Sequence, residues 1–456
     1  MGSGGSKKQK PPTATPKQQP AKNVQAAQPM LPPQPPYFGP LCEYRFENFQ
    51  IPYEVKTGVV FMPNLDMQIS TLDASVYIPT IASLYDLGYR LMSFAVFPGS
   101  MTTSGFLTVS AKTLMKCQAI CRKARPDESI RYRMRVEKSI LPMQMFTYGM
   151  FRIGSDGKGN ADHIFKTIFD VTSAGARLVS IEITGGNAQN ARPVGAPGPV
   201  TGTMNMGMGR GMGMGMGMGM GMGAGMGMGT AMNISVFGFS AGMILGVDIF
   251  FEEPVSPGAQ RYVYQCVPLN LHATCNPMTL GVMQGMKWHL QMDWQGLVAQ
   301  YCGTGWRLVE IFLDQSSNTS VNSPIFTTKV DVNLGAMFIF EKEESKINDN
   351  TPIYEITMVE YRAPGKITAG IGTTSTNINV EWDAVVASMG NAGWELVRIM
   401  NTPGLEMRKT TLNNMMAPEF DVIMWMFFQR EIVREPQDKA PVPQSEEPPA
   451  PVLAPK

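Results

Sequence analysis

The sequence predicts an α+β protein of four β-α-β-β modules, rich in antiparallel sheet, with one helix per module and the modules packed in pairs. Three observations carry this reading. A seven-residue segment occurs four times: GYRLMSF at 88–94, GARLVSI at 175–181, GWRLVEI at 305–311 and GWELVRI at 393–399. Each copy follows a helix-like apolar run, at 78–87, 163–174, 294–304 and 382–392. The spacing is regular: Gly88 to Gly175 is 87 residues and Gly305 to Gly393 is 88. Gly175 to Gly305 is 130, and a low-complexity insert between 187 and 230 accounts for the excess. A self-similar period of this kind is the mark of a repeat architecture.

The segment reads as a helix end passing into a strand. Gly88, Gly175, Gly305 and Gly393 supply the left-handed residue that stops the helix. The next residue is aromatic in three copies (Tyr89, Trp306 and Trp394) and is placed to lie over the helix just left. Simple alternation then puts Leu396 and Arg398 on one face and Val397 and Ile399 on the other. An opening strand precedes each helix, at 42–51, 143–153, 262–271 and 353–362, and two apolar stretches follow each glycine. The segment LG-x-x-IFFE at 245–252 repeats as LG-x-x-FIFE at 334–341. The divisions are a leader at 1–40, modules at 41–138, 139–258, 259–347 and 348–435, and a tail at 436–456.

The leader begins MGSGGSKKQK. This fits the pattern for N-myristoylation, with Gly2 as acceptor and Ser6 at the favoured hydroxyl position; a plain Gly/Ser-rich start is the alternative. Lys7, Lys8 and Lys10 follow, and no acidic residue appears before Glu43. One acyl chain holds a membrane only marginally. Each lysine near an anionic leaflet adds about 1 kcal/mol, so this cluster is the expected second signal. Residues 11–40 are rich in Pro and Gln and read as a disordered tether, or as a ligand for an SH3 or WW domain.

Arg131, Arg133 and Arg135 fall on one face of a short strand, which either docks on anionic lipid or is simply solvated. The insert alternates Met and Gly, and glycine at every second position makes ordering costly. Residues 187–232 are therefore expected to be a disordered loop. A soft-metal site and an adhesive methionine surface are the alternatives. The apolar stretch 234–251 aligns with charged strands of the third module and reads as two buried strands, not a membrane span. Trp294, Trp306, Trp382 and Trp394 are expected in the core, 363–379 as a loop, and the Pro-rich tail as disordered.

The repeated unit resembles a small bacterial domain of unknown function with a GW-x-LV strand. Four units behind an MG amino terminus, with CEYRF at 42–46 and LYDLGYRLMSF at 84–94, resemble the raftlin family. That resemblance implies a lipid-anchored protein of the cytoplasmic leaflet, at the plasma or endosomal membrane. It implies a scaffold or adaptor in lipid-raft signalling or receptor endocytosis, with signalling or endocytic proteins as partners. The chain departs from the family at Ser3, where members carry a palmitoylatable cysteine.

Charge is balanced, 38 basic against 37 acidic residues, so composition gives no case for nucleic acid. Six scattered cysteines show neither disulfide nor zinc spacing, which suits a reduced, intracellular chain. His163, His272 and His289 belong to no catalytic motif, and nothing calls for a cofactor or metal. The expectation is a non-enzymatic membrane scaffold with no transmembrane helix. The alternative is a soluble protein holding a lipid or small ligand in a cleft between paired modules.

Overall fold

The computed structural model describes residues 36–57, 67–69, 72–97, 101–104, 109–126, 128–148, 153–193, 239–256, 260–279, 287–322, 327–370, 373–408 and 419–433. Gly2, Lys7, Lys8, Lys10, most of the Met/Gly-rich insert and the tail lie outside them. Among the described residues four α-helices and seventeen strands fall into four groups along the chain. The first is β1 (Tyr44–Thr57), β2 (Met67–Ile69), α1 (Ala74–Asp86), β3 (Tyr89–Val96), β4 (Met101–Ser104) and β5 (Val109–Lys123). The second is β6 (Tyr132–Tyr148), β7 (Ile153–Gly159), α2 (Asp162–Ser173), β8 (Arg177–Pro193) and β9 (Phe239–Pro254). The third is β10 (Tyr262–Thr279), β11 (Trp288–Gln291), α3 (Trp294–Cys302), β12 (Arg307–Asn322) and β13 (Thr327–Glu343). The fourth is β14 (Tyr354–Gly370), β15 (Thr373–Ile378), α4 (Asp383–Asn391), β16 (Glu395–Met407) and β17 (Glu419–Glu431).

The molecule is thus mostly antiparallel sheet with a few helices, a sheet-rich α+β protein. Strand order within the groups is β2-β1-β5-β3, β7-β6-β9-β8, β11-β10-β13-β12 and β15-β14-β17-β16, with every ladder antiparallel. The helix joins the two edge strands, so it must cross the sheet face, and its apolar side is buried there.

Two strands, not one, precede each helix. The second strand is short, from three residues in β2 to seven in β7, and of residues 363–379, expected as a loop, 363–370 end β14 and 373–378 form β15. Residues 187–193, expected in the disordered insert, extend β8, and the described part of 234–251 belongs to the single strand β9 instead of two strands. The second group begins at Tyr132, ahead of the boundary expected at 139, so the basic stretch belongs to an opening strand.

The groups close into a ring instead of packing in pairs. β2 pairs with β8, β7 with β12, and β15 with β4. At the remaining junction β11 lies beside β16 without a ladder, with Leu290 against Gly404. Each helix also packs on the next group round the ring. α1 buries Tyr77, Ile81 and Leu84 in one core with Leu245, Val247 and Ile249 of β9, and Ile164 and Ile168 of α2 reach the same core as Phe312 and Ile339. Val298 and Cys302 of α3 pack with Ile423 and Phe427 of β17, and Val385, Val386 and Met389 of α4 with Phe97 and Ile120 of the first group. A group of this size buries little apolar area alone; shared cores explain why four stand together. Among the described residues no helix is long and apolar enough to cross a membrane.

Gly88, Gly175, Gly305 and Gly393 all have positive φ, at 80°, 99°, 81° and 81°. At the last three, the amide after the glycine donates five residues back (Ala176 to Val171, Trp306 to Tyr301, Trp394 to Met389), closing the helix in a Schellman turn. A side chain at such a φ costs about 1–2 kcal/mol. Gly88 has open space around it, whereas a Cβ on Gly393 would run into the ring of Tyr37. Gly88→Ala is therefore expected to lose about 1–2 kcal/mol of unfolding free energy in denaturant titration, and Gly393→Ala clearly more. Equal losses would mean that Tyr37 is not seated against the turn.

A charged axial cavity as the candidate functional site

The strands that follow the glycines, β3, β8, β12 and β16, neighbour one another in cyclic order around the centre of the ring. Each carries a bulge at the same place, opposite the register shifts Leu91/Ser93, Leu178/Ser180, Leu308/Glu310 and Leu396/Arg398. A bulge adds a residue and re-aims its side chain. The added residues are Met92, Val179, Val309 and Val397, all buried, and all line one central cavity of about 280 Å³. The simple alternation expected over 395–399 is broken here: Leu396 and Val397 are both buried.

On one side of this apolar floor stands a belt of ion pairs. Two residues after each glycine come Arg90, Arg177, Arg307 and Glu395. Their ladder partners are Arg122, Glu252, Glu341 and Gln429. The arginines reach forward into the next group. Arg90 Nε donates to Glu252 and Arg177 Nε to Glu341, both at 2.9 Å, and Arg307 bonds Glu395 across the next seam. The fourth seam closes with reversed polarity: Glu395 belongs to the fourth group, and Arg122 of the first lies 3.1 Å from it. Tyrosines at the starts of the next opening strands support the guanidiniums, with Arg90 4.5 Å from the Tyr132 ring centre and Arg177 4.6 Å from that of Tyr262.

Below the floor lies a second polar layer. Arg398 Nη2 donates to Glu182 at 2.8 Å, its Nη1 to the Ile181 carbonyl at 3.0 Å, and its Nε lies 3.4 Å from Glu310. Glu310 accepts the amides of Ile181 and Ile311 at 2.7 and 2.8 Å. A third buried cluster sits between the first two groups. Asp248 accepts from Tyr77, from Lys138 at 2.7 Å and from Thr184 at 3.2 Å.

The number of arginines per carboxylate decides each titration. Burial raises the Glu395 carboxyl, but Arg307, Arg122 and Arg125 outweigh it and hold the group well below the usual carboxylate range. Burial likewise opposes Arg177 and Arg307 at Glu341, and the arginines win. Glu182 and Glu310 share the single Arg398. Burial dominates there, pushing Glu182 up to about 7 and raising Glu310 as well.

The residues singled out from sequence are dispersed. Arg133 pairs with Glu253 at 2.8 Å, and Arg135 with Glu137 and Glu253 at 2.6 and 2.7 Å; Arg131 is exposed just before β6. Trp306 and Trp394 are buried behind their glycines, Trp394 beneath Arg430 with 4.3 Å between guanidinium and ring centre. Trp382 is buried and donates its indole N–H to Gln118 at 2.6 Å. Cys117 and Cys121 are buried, and desolvation pushes both thiols up to about 12. Among the described residues no three His, Cys, Asp or Glu side chains gather as a metal site.

Neither a scan of family models nor searches of curated proteins and solved structures find a match for this chain. The fold and the cavity define a class in physical terms only: a closed ring of antiparallel sheets around a charged axis.

Proposed function

We propose that the chain is a raftlin-like peripheral membrane scaffold or adaptor, built from four copies of one module with two strands on either side of its helix and held on the cytoplasmic leaflet of the plasma or endosomal membrane. Gly2 is the acyl acceptor, and Lys7, Lys8 and Lys10 supply the electrostatic second signal toward anionic lipids. The role in raft-associated signalling or receptor uptake follows from the family resemblance. The observation that carries the reading is the leader sequence. Its point of entry into the body supports it. Tyr37 donates to the Glu431 carbonyl at 3.2 Å and lies under Arg430, while Ile432 and Val433 end the last group nearby. The first and last described residues thus lie together, with Val433 beside Gly39.

Membrane fractionation tests this. Gly2→Ala is expected to move most of the protein to the soluble fraction. Replacing Lys7, Lys8 and Lys10 by Gln is expected to weaken binding to anionic vesicles by roughly a hundredfold at low salt. Unchanged partitioning of Gly2→Ala would sink the anchor.

The alternative, a soluble ligand-binding protein, gains one observation: the central cavity receives residues from all four groups. Its walls are arginine and glutamate, which suits a small polar ligand and not a lipid chain.

A further inference from the structure

We propose that the ring opens at the seam between the third and fourth groups, the fourth swinging on its contact with the first. Two kinds of tie cross each of the other seams and are missing here. The first is a ladder. β2 pairs with β8, β7 with β12 and β15 with β4, whereas among the described residues β11 and β16 only lie side by side. The second is a tyrosine hydroxyl at the amide three residues beyond each glycine. Leu178 donates to Tyr264 at 3.0 Å and Leu396 to Tyr44 at 2.6 Å, and each tyrosine stands on the opening strand of the following group. At the first seam the ring comes from the helix instead: Leu91 donates to Tyr85 at 3.2 Å, and Tyr85 donates across to Glu252 at 3.0 Å. Between the third and fourth groups Ile356 holds the strand position, opposite Gln429, and Cys302 the helix position. The Leu308 amide there turns to the Cys302 sulfur of its own group, and a groove of about 620 Å³ lies between α3 and β14, lined by both residues.

The division of the core agrees. One apolar cluster runs through the first three groups. The fourth joins the body through two separate clusters, one shared with the first group and one with the third. The cluster shared with the third group, with Arg307 on Glu395 and Arg398 beside Glu310, holds the untied seam shut. A native protein opens first where its cooperative units are least bound to one another. Tyr354 lines both the groove and the axial cavity. Parting α3 from β14 therefore joins the two spaces, and it frees the edges of β11 and β16, which are templates for an added strand. None of this depends on the acyl anchor.

Thiol labelling of the full chain in native buffer tests the opening, with a maleimide as reagent and peptide mass spectrometry as readout. Cys302 lies at this seam, and Cys117 and Cys121 lie on β5. All three are buried, and desolvation pushes all three thiols up to about 12. With thiols so alike, the labelling rates compare how often each site opens. Cys302 is expected to react at least about tenfold faster than Cys117 and Cys121. Its rate is expected to rise with urea on a slope well below that of global unfolding. Ile356→Tyr restores the residue type that Tyr44 and Tyr264 supply at the matched positions. It is expected to slow Cys302 by roughly tenfold while leaving Cys117 and Cys121 unchanged. Should that variant not fold, the urea slope of the wild type decides. Equal rates at the three thiols, a Cys302 rate that ignores urea or follows global unfolding, or a rate unmoved in folded Ile356→Tyr overturns the proposal.

Discussion

Arg398→Met is expected to destabilise the protein by about 3–5 kcal/mol, because it strands two carboxylates in the core. Glu310 is fully buried and Glu182 nearly so, and Arg398 is the cation they share. The same cluster predicts a pH dependence. Glu182 is pushed up to about 7 from an ordinary value of 4.5, by burial first and by the neighbouring Glu310 against the pull of Arg398. Its folded value lies above its unfolded one, so the native state holds the proton more tightly. That contribution is complete below the unfolded value and is lost as pH rises through about 7. The amplitude is on the order of 3 kcal/mol. Glu395 and Glu341 have the opposite sign. Their folded values are depressed, so their contribution is present above the unfolded value and lost as pH falls below it. Stability is thus expected to peak between the two windows. Urea unfolding from pH 3 to 9 measures the profile, and Glu182→Gln is expected to flatten its alkaline limb. A limb of unchanged slope in that variant would show that the cluster does not titrate there.

The fold was legible where local chemistry repeats. Glycine at a helix end, an aromatic after it and an apolar strand beyond are read within ten residues, and the four positive-φ glycines stand at the expected places. The short second strands are hidden because three to seven residues are too few to establish a period, and TTSTNI carries no apolar alternation at all. Closure into a ring was equally hidden. It rests on ladders such as β15 with β4, which join residues more than 250 positions apart, and no local pattern encodes them. The bulges were hidden too, because one inserted residue leaves composition unchanged while it moves Val397 onto the axis.

The candidate site was half visible. Arg90, Arg177, Arg307 and Glu395 stand at one position of the repeated segment, and Glu252 and Glu341 at one position of the matched final strands. Charges at such positions, beside apolar neighbours, signal pairing inside a core. What sequence could not supply was the pairing rule, since Arg90, Arg177 and Arg307 each reach a carboxylate of the following group, Arg307 while also holding Glu341 of its own. The leader's lysines and the Arg131–Arg135 stretch drew attention because their charges are contiguous. The structure compensates the latter with Glu137 and Glu253.

The reversed polarity at the closing seam yields the second large effect. Glu395→Gln leaves Arg307, Arg122 and Arg125 converging on a neutral amide, and a loss of about 3–5 kcal/mol is expected. Arg122→Glu alone sets two carboxylates against each other at 3% exposure and is expected to cost at least as much. The double variant Glu395→Arg with Arg122→Glu converts this seam to the arginine-to-glutamate order of the other three. It is expected to recover a coupling energy of about 0.5–3 kcal/mol over the sum of the single losses. Thermal and urea unfolding of the wild type, Arg122→Glu, Glu395→Arg and the double variant complete the cycle, and strict additivity would show that the two side chains do not meet. Because Arg307 also loses its partner Glu395 in that variant, Gln429→Glu is needed as well before all four seams run from arginine to glutamate. Like-charge juxtaposition is what disfavours wrong pairings between similar surfaces. In the wild type, the swapped pair distinguishes the one seam where the chain's ends meet from the three where neighbours in sequence meet. A ring assembled from one chain needs that distinction most at its closing contact, because the fourth group there must select the first over the free edge of another copy.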